Sequence, residues 1–169
     1  ALDRRTTIPF RQWERHERTL LERLATEEPE DVVDYEPFSP LGAEAWRALG
    51  ESLVEHAPGT RYAAALALVG DALLARFAGR EPPARPRPWS DAFDAADGAA
   101  PRRRPRDVLA DWIADDVWAL DWADGGSFAL LRAVLAVRLA LARDVAAHLE
   151  RAGVRPDRAA AEAVLATDL

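Results

Sequence analysis

The chain has no cysteine, no lysine and no methionine in its 169 residues. Without cysteine there can be no disulfide and no thiolate ligand for a metal. Without lysine, all 22 basic side chains are arginines, which are planar forks of donors rather than compact point charges. The joint absence of lysine and methionine fits codon bias in a GC-rich genome and carries little chemistry. Positive charge is also in deficit. Twenty-nine acids leave a net charge of −7, which argues against general nucleic-acid binding, since phosphate contacts need a basic face. No apolar run approaches the roughly 18–20 residues of a membrane span. The opening ALDRRTTIPF lacks the apolar core of a signal peptide. A cytoplasmic location is expected, with neither nucleic acid nor membrane as partner.

Apolar residues make up 49% of the chain and charged residues 30%, enough to fill one core and solvate its outside. One domain over residues 1–169 is therefore expected. Alanine, leucine and arginine lead the composition, and these are helix formers. The fold class read from this is all-α: a single-domain bundle of five to six helices with a long Pro/Arg-rich loop between the third and fourth.

The first helix is expected over Pro9–Thr26, capped by Thr7, and the second from Ser39-Pro40 to just before Pro58-Gly59. The third, Thr60–Ala78, is apolar nearly all round in its middle, which marks a central buried helix ending at Gly79. Residues 80–106 then change character, with six of the twelve prolines and seven arginines against four acids. That composition reads as a loop over the surface, with room for a short helical turn around Ser90–Asp97. The fourth helix is DVLADWIADDVWALDWADGG, starting at Asp107 and stopped by Gly125-Gly126. Ser127 caps a long fifth helix that Gly153 closes, and Pro156-Asp157 opens a short sixth.

Three motifs suggest specific chemistry. Asp115–Asp121, DDVWALD, has a spacing similar to the first aspartate-rich motif of bacterial prenyl diphosphate synthases, where carboxylates hold magnesium against a diphosphate. The resemblance covers seven residues; the second aspartate-rich motif and the diphosphate-binding lysine are missing. Arg143–His148, RDVAAH, resembles the ribonuclease motif of HEPN domains, which are also helical. With three histidines and this much arginine about one such match arises by chance, and Arg11–His16 supplies a second. His16, His56 and His148 fall on three different helices and form no HxxxH or ExxH pair, so no metal site and no cofactor are expected.

Helical phase is more informative than motif matching. In the fourth helix Leu109, Trp112, Ile113, Val117 and Leu120 share one face, and Asp116 falls inside it. Asp111, Asp115, Trp118 and Trp122 fall on the other side. In the fifth, Leu130, Leu131, Val134, Leu135, Leu141, Val145 and Leu149 form an apolar arc with Arg138 near its middle. A buried charge needs a partner, so Asp116 and Arg138 are predicted to pair. Glu17 lies among the apolar residues of the first helix, and His56 beside Leu49 and Leu53 in the second. Glu17, His56, Asp116 and Arg138 are thus the candidates for an interior polar set.

Trp118 and Trp122, set among acids, are the candidates for a contact surface, unless Trp89 or Phe93 of the Pro-rich loop covers them. The leading expectation is a non-catalytic accessory, adaptor or chaperone-like protein acting through a protein partner or a homo-oligomer. The alternative is an enzyme or small-ligand binder using the interior polar set.

Overall fold

A computed structural model describes residues 10–33, 38, 41–61, 63–81, 89–96, 102–119 and 128–167, the side chains of 10–13, 64, 65, 119 and 128–130 excepted. Within these residues the chain is all-helical. Its eight helices are α1 (Phe10–Leu24), α2 (Pro29–Val33), α3 (Ala43–His56), α4 (Ala63–Ala78), α5 (Ser90–Ala96), α6 (Pro105–Ala119), α7 (Phe128–Arg151) and α8 (Pro156–Thr167). Five or six helices were expected; beyond them stand α2, which the sequence did not suggest, and α5, which takes the place of the short turn allowed for around Ser90–Asp97. At five and seven residues both are too short to show a period in the sequence. No described helix is long and apolar enough to cross a membrane.

Contacts divide the chain into two compact units, residues 1–37 with 106–139 and residues 38–105 with 140–169. In the first unit α1 meets α2, and arginines close the helix ends. Arg106 donates to the carbonyl of Leu24 (2.9 Å), one of those the last turn of α1 leaves unpaired, and to the carbonyl of Glu27 in the segment that follows. Arg132 of α7 does the same for Val33 at the end of α2, at 2.7 and 3.0 Å. Arg23 bonds Glu27 one turn on, and this hydrogen bond holds the Glu27 carboxyl below its usual range.

In the second unit α4 packs against α3 and α8. Val69, Gly70, Asp71, Ala72, Leu73 and Leu74 are buried in succession, which is the all-round burial its composition predicts. The α3–α4 contact is made through glycine. A Cβ on Gly70 would lie 2.8 Å from Val54 Cγ2 and 2.9 Å from the Gly50 carbonyl, so only hydrogen fits there. This contact also corrects the expected phase of α3. Its buried face runs through Trp46, Gly50 and Ala57, while Leu49 and His56 are exposed. Glycine adds nothing to a hydrophobic count, so the sequence rotates the apparent face toward Leu49.

Before α3, Phe38 adopts a left-handed backbone (φ 68°), unusual for a residue with a ring. Trp46 Nε1 donates to its carbonyl at 2.8 Å, and the rings of Trp46 and Phe77 pack edge-on against Phe38. The stops at Gly79 and Gly153 are where the sequence puts them, while α1 ends at Leu24 rather than Thr26. Gly79 (φ 61°) follows α4. Gly153 (φ 89°) ends α7, where Val154 N bonds Leu149 O and Gly153 N bonds Glu150 O. Starts are less faithful: α3 begins at Ala43 behind Gly42, which makes no side-chain cap, and α6 begins at Pro105 rather than Asp107. Thr7, Pro9, Ser39, Pro40, Gly125, Gly126 and Ser127 lie outside the described residues.

At the start of α8, Asp157 accepts from the Arg155 side chain and from the backbone amides of Arg103 and Arg158. Burial alone would push this carboxyl up; the donated hydrogen bonds outweigh it and hold the pKa below the usual carboxylate range.

Two outcomes are expected. Gly70→Ala forces a methyl between two helix backbones and should cost about 1–3 kcal/mol in urea unfolding. For Asp157 the folded pKa lies below the unfolded one, so its contribution is complete above about pH 4 and is lost as pH falls through the folded value. The Arg103 amide should therefore lose exchange protection on acidification in the wild type and lack that protection at every pH in Asp157→Ala, which has no side-chain acceptor.

Candidate functional site

α6 carries tryptophan and aspartate on both of its sides, and the two sides have different fates. Leu109, Ile113 and Val117 are fully buried and fix which way the helix faces. With them go Trp112, buried, and Asp116, half-buried. Asp111, Asp115 and Trp118 (i, i+4, i+7) lie along the exposed side, and Trp118 keeps 64% of its surface in solvent.

Arg138 of α7 enters the inner side. Its Nη1 donates to Asp116 Oδ2 at 2.8 Å, and its guanidinium lies 4.9 Å from the centre of the Trp112 ring. Both partners are drawn partly from water, Arg138 to 20% and Asp116 to 27% side-chain exposure. The expected Asp116–Arg138 pair is therefore present, with an indole beneath it that helical phase alone did not assign. The buried Trp112 Nε1 has no hydrogen-bond partner among the described residues, so this tryptophan serves Arg138 through its ring face.

The other two members of the expected polar set do not join this pair. Glu17 is half-buried on α1 and has no hydrogen bond or ion pair to Asp116 or Arg138 among the described residues. His56 is not interior: it is exposed at the end of α3, and its Nδ1 meets the Ser52 carbonyl of its own helix at 2.8 Å. Of the four, the ion pair described is the one between Asp116 and Arg138. Among the described residues no three histidines or carboxylates gather as metal ligands.

Trp89 and Phe93, candidates to cover the outer tryptophans, turn to α8. Trp89 Nε1 donates to Glu162 at 2.9 Å, and Phe93 lies beneath the Arg158 guanidinium at 5.7 Å. Glu162 is fully buried and also accepts from Arg158 at 2.7 Å, while Arg158 reaches Asp94 and the Ser90 carbonyl. The Glu162 and Asp94 carboxylates push the Arg158 pKa further up. This clamp holds α5, which buries none of its own residues. It escaped the sequence because Trp89 and Glu162 are 73 positions apart. The RDVAAH residues Arg143 and His148 are half-buried on α7, and Trp122 lies outside the described residues, as does Asp121 of the DDVWALD motif. Comparison with protein-family models, curated proteins and solved structures finds no match.

A double-mutant cycle of Asp116→Ala with Arg138→Ala should return a coupling energy of about 1–2 kcal/mol, more than a fully exposed pair gives. Arg138→Lys keeps the charge but loses the planar fork that lies on Trp112, and should recover less than half of it.

Proposed function

We propose that the protein works by protein–protein contact, as an accessory subunit, adaptor or chaperone, and that the outer side of α6 is its contact surface. The observation that carries this is Trp118: 64% exposed on a helix whose opposite side is sealed in a core. An indole left in water forgoes a large apolar burial, and tryptophans placed this way are over-represented among the residues that dominate binding energy. Asp111 and Asp115 on the same side add charge, which favours basic partners and speeds their approach.

The test is Trp118→Ala. Removing an exposed ring should leave the melting temperature within about 2 °C of the wild type. It should also strip proteins that co-purify with tagged wild type from native cells. An unfolded variant would make Trp118 a core residue, and an unchanged set of captured proteins would move the contact surface elsewhere; either result overturns the reading.

A further inference from the structure

The charge of the chain is not spread evenly. Residues 1–37 with 106–139 hold sixteen acids against nine arginines, a balance of −7, while residues 38–105 with 140–169 hold thirteen of each. The first compact unit therefore carries the whole net charge. Within it, the twenty residues from Asp107 to Gly126 contain six aspartates and no basic side chain. The exposed side of α6 lies in this stretch. Asp115 and Trp118 stand there at i and i+3, which makes them surface neighbours. Long helical side chains lean toward the helix N-terminus, the direction in which Asp115 lies from Trp118. Among the described residues neither has a hydrogen bond, an ion pair or a ring contact. We propose that the outer side of α6 binds an arginine of a partner protein, its guanidinium stacked on Trp118 and paired with Asp115. This rests on α6 being a contact surface and names the side chain that the surface receives.

Charge sets the sign of the partner. A unit at −7 repels acidic proteins and nucleic acid, and it attracts basic segments and speeds their approach. It also repels its own copy. In a two-fold dimer the same surface meets itself, which here would bring −7 against −7. A basic segment of a foreign protein meets no such opposition.

The ring selects arginine over lysine. A guanidinium is planar and weakly hydrated, so it can stack on an indole while its edge donates to a carboxylate. An ammonium holds its water more strongly and has no plane to stack. The inner side of the same helix shows this geometry completed. Arg138 lies 4.9 Å from the centre of the Trp112 ring and donates to Asp116 at 2.8 Å. There the tryptophan and the aspartate stand one helical turn apart, within one residue of the separation between Asp115 and Trp118. The helix fixes that outer spacing before a partner arrives, so docking does not have to order the backbone.

Fluorescence anisotropy of the full chain with labelled Gly/Ser peptides tests this, one peptide carrying several arginines and otherwise identical ones carrying lysine or citrulline. The arginine peptide should bind at least about threefold more tightly than the lysine peptide and at least about tenfold more tightly than the uncharged citrulline peptide. Its binding should weaken as salt rises from about 50 to about 500 mM. Trp118→Ala should weaken it at least about fivefold and remove the advantage over lysine, and Asp115→Asn should weaken it about threefold. Glu22→Gln removes the same charge from an exposed position on α1 and should change the affinity less than about twofold. Equal binding of the arginine and lysine peptides, or equal losses in Asp115→Asn and Glu22→Gln, makes the attraction diffuse and overturns the proposal. A wild type that ignores all three peptides yet self-associates through Trp118 overturns it in favour of a second copy. If the arginine peptide binds no better than the citrulline one while Trp118→Ala still strips proteins captured from cells, the guanidinium assignment fails and the contact surface stands. An unfolded Trp118→Ala overturns both readings.

Discussion

A guanidinium carries five N–H donors and a charge that does not titrate away, so an arginine drawn out of water must be met by acceptors or by a ring. Much of this protein's long-range structure answers that requirement. Arg106 is received by a carbonyl at the end of α1, Arg132 by the carbonyl that closes α2, Arg138 by Asp116 and Trp112, and Arg158 by Glu162, Asp94 and Ser90. In each case the arginine ties down an element that helix propensity alone would leave loose. A five-residue helix such as α2 is far below the length at which a helix is stable by itself. It persists because its buried valines and its terminal carbonyl both find partners.

The same accounting separates what the sequence discloses from what it conceals. An apolar face interrupted by one carboxylate, and a second interrupted by one arginine, together state a pairing problem that Asp116 and Arg138 solve. The helical class and the stops at Gly79 and Gly153 were legible because propensity and left-handed glycine act locally. Arginines that cap carbonyls were not, since every residue has a carbonyl and none announces which will lack a partner. Nor was the true face of α3, where the decisive residue is a glycine whose contribution is the absence of a side chain. His56 was misplaced for that reason alone.

The outer side of α6 was legible in part. Spacing placed Trp118 away from the core, but whether a loop covers an indole is a long-range question that periodicity does not address. In the structure Trp89 and Phe93 are spent on the Glu162–Arg158 clamp, and Trp118 stays in solvent. α6 therefore carries tryptophan and aspartate on both sides, gathered around Arg138 on one and left exposed on the other.

The glycine contact between α3 and α4 also bears on how the second unit assembles. Gly50 and Gly70 are only twenty residues apart, so the loop closed by their meeting is short and its entropic cost small. Contacts this local form early in folding, whereas α8 must return from the far end of the chain to lie on α4. The α3–α4 hairpin is thus suited to be the template on which α8, and with it the clamp on α5, arrives last.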